Sequence, residues 1–496
     1  MNRALAAAPI AALAFVAILA LAAAAVQAGF VPDDALRLWA GASTAADGGL
    51  SIGRIVAGYP TIPFLTTTLV AWLAPAGTPA PALVAAGLFG LLVGACFLAF
   101  RDLGLSRLAA GAATLLIALH PALLDAAIGG PADMFLAVFL LLLCRALYGL
   151  RARSGTAEVM ATGLALLGLA FSHPMGAAVG FASVPFLAFA VRPALVMRSA
   201  FNVVIALIFP SVFAVAAFSY VSWVFPGAGW SFFAAPAQSV ATWTADAARV
   251  FGEGLSGLRA LDASLAMVAA LAIGAPLAWF ALALVRRRRP LVTPALVFAA
   301  TMVAATAMAA ASGLFGDPTA LAVAAPVLAA VVVTRVPEAR QRLALVVPLL
   351  ALGWLGGALG VALIDPGTVY HLRAALDGHG GEPERLDALA VGGAASGRDG
   401  VLADTDNAPG FVLGRGGARG LFGPASEPFA LTLLFSRIET PFVAVPDPQS
   451  TAGLTDRLDK AFPTLFRAGV PGYGVVYQNN TWRIFGRLNI GDVSKH

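Results

Sequence analysis

Residues 29–75 read GFVPDDALRLWAGASTAADGGLSIGRIVAGYPTIPFLTTTLVAWLAP, and how this stretch is read decides the rest of the chain. It follows an apolar run over 5–26 and is the first place where acids, an arginine and aromatics gather. Pro32 suits the first turn of a helix, because the N–H it lacks has no intrahelical partner there. Asp33 and Asp34 follow it, where the positive end of a helix favours negative charge. Leu36, Trp39 and Ala40 give that helix an apolar side, so the pattern predicts a short helix lying along a membrane surface. Tyr59-Pro60 and Pro63 restart a second short amphipathic piece that ends at Trp72 and Pro75.

Outside this stretch the composition is that of a membrane protein. Of 496 residues, 59% are hydrophobic and only 11% charged. Soluble domains carry about 25% charged residues. Residues 5–26 exceed the apolar core of a signal peptide and are long enough to span, which predicts a retained first helix. Further apolar runs over 81–100, 108–119, 134–150, 159–171, 176–191, 201–225, 262–285, 291–311, 320–334 and 343–364 bring the expected total to about eleven spans. His120 and Pro121 open a loop over 121–133 holding Asp125 and Asp133, and His173-Pro174 is a tight turn between two spans. A longer aromatic loop covers 226–262.

Arginine placement orients this parse. Arg3, Arg101, Arg107, Arg151, Arg153, Arg192, Arg198, the run at 286–289, Arg335, Arg340 and Arg342 fall on one side, and the opposite loops between spans carry few: Arg37, Arg54, Arg249 and Arg259. The positive-inside rule makes the first side cytoplasmic. The Asp33-Asp34 loop, the Asp125–Asp133 loop, His173 and the C-terminal tail then share the periplasmic side. Topology thus explains the net charge of +5, and no basic cluster interleaved with aromatics points to nucleic acid. Cys96 and Cys144 sit inside apolar runs and read as buried free thiols.

From Asp365 onward Gly, Asp, Arg and Pro rise and no run is long enough to cross a membrane. The expected division is a transmembrane domain over 1–364, whose outer loop covers 29–80, and a small α/β domain over 365–496. A mobile Gly-rich segment at 377–400 joins them. Short strands are predicted at 401–403, 411–413 and 442–445, a helix at 455–466, and a hairpin of 473–478 with 482–487 around Asn479-Asn480.

The pieces PDDALRLWAGA and GYPTIPFLTTTLVAW, in that order behind a first span, resemble the first external loop of GT-C membrane glycosyltransferases, the group of the protein O-mannosyltransferases and the lipid A aminoarabinose transferase. The resemblance covers about the first third of the chain. It implies a GT-C-like polytopic helical fold with a soluble periplasmic domain, in a bacterial inner membrane. The implied activity moves a sugar from a polyprenyl-phosphate donor to a glycan, lipid or protein acceptor on the periplasmic side. An acid just after the first span is the base in that family, which points to Asp33 with Asp34 beside it. Arg37 stands one turn on from both acids. Helix capping is the competing account of Asp33 and Asp34.

The segment ALHPALLDAAIGGPADMFLAVFLLL resembles the place where a family acid assists the site or a metal, implicating Asp133 and, less directly, Asp125. No organic cofactor is implied, and a divalent cation is the one cofactor to look for. His173 in GLAFSHPMGAAVG resembles the family's basic residue facing the donor phosphate, although a neutral histidine replaces a fixed cation weakly. Tyr59 matches the YP of the second interfacial piece, with aromatic anchoring as its alternative. The lysine of the aminoarabinose transferases is missing there, and Arg54 is the nearest replacement charge. The rival reading is a non-catalytic scaffold or lipid-binding subunit of an envelope complex. A transporter ranks below both, since no matching pair of polar, broken helices stands out.

Overall fold

The computed structural model describes residues 2–27, 32–75, 78–224, 259–285, 289–335, 343–364, 383–424 and 426–488. The chain divides into two compact units: Met1–Ala22, Ile55–Pro63 and Ala82–Leu372 form one, and Ala23–Arg54, Phe64–Pro81 and Arg373–His496 form the other. The fold is mostly helical with a small C-terminal sheet. Six described helices are long and apolar enough to cross a membrane, or up to eight if each of two bent helix pairs counts as one span. The chain is a multi-pass membrane protein by that measure.

The helices of the first third are α1 (Asn2–Gln27), α2 (Asp33–Gly48), α3 (Ile52–Ala57), α4 (Thr61–Leu73) and α5 (Ala80–Leu103). The two short helices expected in the outer loop are α2 and α4; α3 between them is an addition. Pro32 is the residue before α2, not its first turn, with an extended backbone at φ −54°, ψ 142°. On α5, a Cβ at Gly90 would lie 2.7 Å from the Ala11 carbonyl oxygen, so small residues let α5 and α1 pack backbone to backbone.

The first unit continues with α6 (Arg107–Ala118), α7 (Pro121–Gly129), α8 (Pro131–Ala152), α9 (Thr156–Ser172), α10 (Pro174–Ala190) and α11 (Pro193–Val224). Then come α12 (Arg259–Gly274), α13 (Pro276–Leu284), α14 (Arg289–Ser312), a 3-10 turn at Pro318–Val323, α15 (Ala324–Arg335) and α16 (Val346–Ile364). Helix α8 packs on α9, α14 and α15, and its Met134, Leu136, Leu140 and Cys144 belong to the core. Cys96 and Cys144 are free and buried, as expected.

Two readings are corrected here. The segment after His120 is a helix, α7, bent 60° from α6, not a loop. Pro121 at its N1 position starts a new helix without losing a hydrogen bond, and the run PALLDAAIG is apolar enough to stay in the core. The span expected over 262–285 is broken into α12 and α13, bent by 73° at Ala275-Pro276, because proline cannot donate into the preceding turn. The loop expected at 226–262 and the arginines at 286–288, 340 and 342 lie outside the described residues, apart from the start of α12.

The second unit closes with α17 (Pro383–Ala394), β1 (Val401–Leu402), α18 (Pro409–Gly414), β2 (Leu421–Phe422), α19 (Glu427–Phe435), β3 (Phe442–Pro446), α20 (Arg457–Ala461), α21 (Leu465–Ala468), β4 (Tyr473–Gln478) and β5 (Trp482–Arg487). Strand order is β2-β1-β3-β5-β4, with β1 parallel to both neighbours and β5 antiparallel to both of its own. Alternation along the strands builds two cores. Val401, Ala444 and Ile484 face one side with Val391 and Phe411, while Leu402, Val443, Val445 and Phe485 face the other with Phe429 and Leu458. The hairpin and the strands at 401 and 442 stand as expected.

Three expectations for this domain fail. Residues 411–413 belong to helix α18, because Pro409 starts a helix and a short apolar run has no period to separate strand from helix. The helix expected over 455–466 is two short ones, α20 and α21. Part of the segment expected to be mobile is α17, whose Gly392 meets the Phe411 carbonyl so closely that no side chain fits there.

Candidate functional site

The polar centre of the first unit is built at two helix ends. Gly130, at φ 126°, turns the chain from α7 into α8, and Pro131 starts α8 so that Asp133 falls in its first turn. A carboxylate is stabilised there by the helix dipole. Gly129 leaves room for it: a Cβ at that position would stand 2.5 Å from Asp133 Oδ2. Across from it, His173 occupies the break between α9 and α10, with an extended backbone at φ −160°, ψ 143°.

The His173 ring is fixed at both nitrogens. Its Nδ1 accepts a hydrogen bond from the Met175 backbone N–H at 3.0 Å, capping α10. A nitrogen that accepts carries no proton, so the ring proton sits on Nε2. That atom lies 3.2 Å from Asp133 Oδ1, an N–H donating to a carboxylate. The arrangement orients Asp133 and keeps the imidazole in one tautomer. It also means His173 acts as a positioned neutral donor and not as a fixed cation while it caps α10.

Tyr59 joins the same end of α9. Its hydroxyl donates to the Ala170 carbonyl at 2.9 Å, taking up one of the helix-end carbonyls that lack an intrahelical partner. Its ring packs against Phe218 with centroids 5.9 Å apart, and Phe171 meets Phe218 edge-on at 5.4 Å. Burial pushes the phenol well above its ordinary range, so Tyr59 stays neutral. Asp133 and His173 retain partly open side chains, 28% and 13% exposed. A hydroxyl-bearing ligand reaching this corner meets one oriented carboxylate.

The other expected residues are elsewhere. Asp33 begins α2, and its side chain lies outside the described residues; Asp34 and Arg37 are exposed on α2 in the second unit. Arg54 does not stand in for a phosphate-binding lysine on this geometry. Its guanidinium turns back on the end of α2, donating to the carbonyls of Gly49 at 2.7 Å and Thr44 at 3.4 Å, where a helix favours a cation. Asp125 is half-buried on α7. His120 is buried at the α6–α7 break, with both ring nitrogens lacking a hydrogen-bond partner. The backbone of Gly353 also faces that ring, outside hydrogen-bonding geometry. A Cβ at Gly357 would come 2.6 Å from His120 Nε2, so the imidazole is wedged against α16. Among the described residues no group of three or more His, Cys, Asp or Glu is placed to hold a metal ion.

A second polar cluster was missed at the level of sequence, although the run DTDNAP directly after a strand was its signal. Asp404 follows β1 and is fully buried; its Oδ2 accepts from the Arg457 backbone N–H at 3.0 Å and from Asn407 at 2.9 Å. Asp456 caps α20, accepting from the N–H groups of Leu458 and Asp459 at 2.8 and 2.9 Å. Asp459 is buried with neither oxygen hydrogen-bonded. Burial, then the neighbouring Asp456 and Asp447, push the Asp459 carboxyl up to about 7. Burial and Asp404, opposed by the cap hydrogen bonds and Arg457, bring Asp456 to about 6.

Both values lie above the ordinary 3.8, so the folded domain binds protons more tightly than the unfolded chain. These two groups therefore give the domain's stability a contribution that is present below about pH 4 and slopes downward as pH rises to about 7. Asp459→Asn is expected to flatten most of that slope and to stabilise the domain at neutral pH. Amide exchange of β3 and β5 in the full chain at pH 5 and 7.5 measures it, after correction for the intrinsic rates. A slope unchanged in the variant would assign the effect to other groups.

A comparison with known proteins adds no family to this geometry: no family model matches the chain, and no curated protein matches it.

Proposed function

We propose that this chain is a polytopic glycosyltransferase of GT-C type in a bacterial inner membrane, with its C-terminal domain in the periplasm. It takes a sugar from a polyprenyl-phosphate donor. The observation that supports this best is the Asp133–His173 pair at 3.2 Å, which joins two separate segments that each resemble the family, with Tyr59 at the same helix end. In the reaction, an acceptor hydroxyl oxygen attacks the sugar's anomeric carbon, and the bond from that carbon to the phosphate oxygen breaks. The acceptor proton passes to a carboxylate, assigned to Asp33 with Asp34 in support. Asp133, oriented by His173, holds sugar hydroxyls; Arg37 meets the phosphate.

The experiment is transfer of radiolabelled sugar from a polyprenyl phosphate in membranes containing the full chain. Wild type is expected to transfer. His173→Ala is expected to raise the donor KM about tenfold, the loss of one charge-assisted hydrogen bond, and His173→Gln to restore part of it. Absence of transfer across a panel of donor sugars and acceptors would favour the scaffold reading.

A further inference from the structure

The helix that carries Asp33, Asp34 and Arg37 is packed into the same compact unit as the C-terminal domain. Ala35, Leu36, Ala40, Ala42 and Ala45 form the buried side of α2, and four of these five are alanine. Small side chains let a helix approach its neighbour closely. The neighbour is α18, which packs on α2 as well as on α17. On the α17 side the approach is tight: Gly414 meets the Leu389 carbonyl oxygen, and a Cβ at Gly410 would lie 3.0 Å from Ala388 Cβ. Helix α18 is thus held between α17 and α2.

A polar latch closes the far end of the contact. Beyond α18 the chain turns through Gly416 and Gly417, both at positive φ, 84° and 148°. That turn presents the Ala418 N–H to Asp47, whose Oδ2 accepts it at 2.8 Å. A Cβ on Gly417 would stand 2.7 Å from the same oxygen. Arg415 stiffens the turn from within, donating to the Arg419 carbonyl at 2.7 Å and the Ala395 carbonyl at 3.3 Å. Asp47 is the last acid of α2, at the opposite end of the helix from Asp33. The latch therefore fixes the helix without occupying its acidic end.

We infer that the C-terminal domain is the anchor of α2, with Asp47 as the positioning residue that sets where the acidic end of that helix stands. The anchoring is independent of the reaction, while its catalytic consequence rests on the proposed transferase reading. Truncating Asp47 frees the Ala418 turn and lets α2 pivot on its alanine face. Displacing α18 releases the whole helix.

Hydrogen–deuterium exchange on the full chain in lipid nanodiscs tests the anchor. Asp47→Ala is expected to speed exchange at residues 41–48 and 417–420 about tenfold or more. Asp47→Asn, which keeps an acceptor oxygen, stays near wild type. Gly414→Ala, which drives α18 off α17, is expected to unprotect α2 together with α18. The inference is overturned if Asp47→Ala exchanges like wild type, or if Gly414→Ala loosens 409–420 while α2 keeps its protection. In the transfer assay Asp47→Ala should lower kcat and raise donor KM together, because Asp33 and Arg37 stand on the same helix. A wild-type chain that transfers nothing counts against the transferase reading alone, because the exchange result stands without it.

Discussion

Replacing Asp33 with asparagine is expected to slow sugar transfer by about 10²–10⁴, the usual loss when a general base is removed. Asparagine keeps the size and one acceptor oxygen of the carboxylate but takes up no proton. Membrane insertion and α2 itself should survive, because asparagine suits a helix N-terminus as well as aspartate does. A role confined to the helix end would be worth only about 0.3–1 kcal/mol at an exposed site, or less than tenfold. Asp34→Asn should slow transfer less, and Arg37→Ala should raise donor KM. Initial rates at matched protein levels separate the outcomes. Near-normal turnover in Asp33→Asn with loss in Asp34→Asn would exchange the two roles, and normal turnover in both would remove the base from α2.

Trp482→Ala is expected to destabilise the C-terminal domain by about 3–5 kcal/mol, the range for emptying a buried large aromatic. Trp482 is 2% exposed, and its ring stacks on Phe411 at 5.7 Å with planes 10° apart. The pair sits in the core that holds Val391 of α17 and Val401, Ala444 and Ile484 of the sheet. Truncation leaves a hole that backbone-to-backbone contact at Gly392 and Gly414 prevents from closing, since α17 and α18 are already as near as they can come. Trp482→Phe keeps the stack and should lose less than half as much. Urea titration of the full chain in detergent, read by amide exchange in β3 and β5, measures both. An unchanged midpoint in Trp482→Ala would mean that the indole does not hold this core.

What the sequence revealed follows from what leaves a periodic mark. The spans at 81–100 and 134–150 were visible because a membrane demands long apolar runs, and the 473–487 hairpin because Asn479-Asn480 breaks two alternating strands. The bends at His120-Pro121 and Ala275-Pro276 were not, since an apolar run reads the same whether it is straight or broken. Asp133 and His173 were each marked from their neighbours, but their contact spans separate helices and has no local signature. The role of Nδ1 in capping α10 was likewise hidden, because a histidine before proline does not disclose which nitrogen faces the backbone. Asp404, Asp456 and Asp459 carry no signal of their own, because scattered acids in a polar tail resemble solvated surface until the fold buries them.

The bond between Asp47 and Ala418 joins residues 371 positions apart in the chain. A ribosome adding about 5–20 residues per second needs roughly 20–75 s to make that stretch. For that interval α2 exists without the helix that covers it, while the spans of the first unit are still being made. The assembly of this protein therefore finishes where it began, and a nascent chain halted after the last span is left with its acidic helix unlatched.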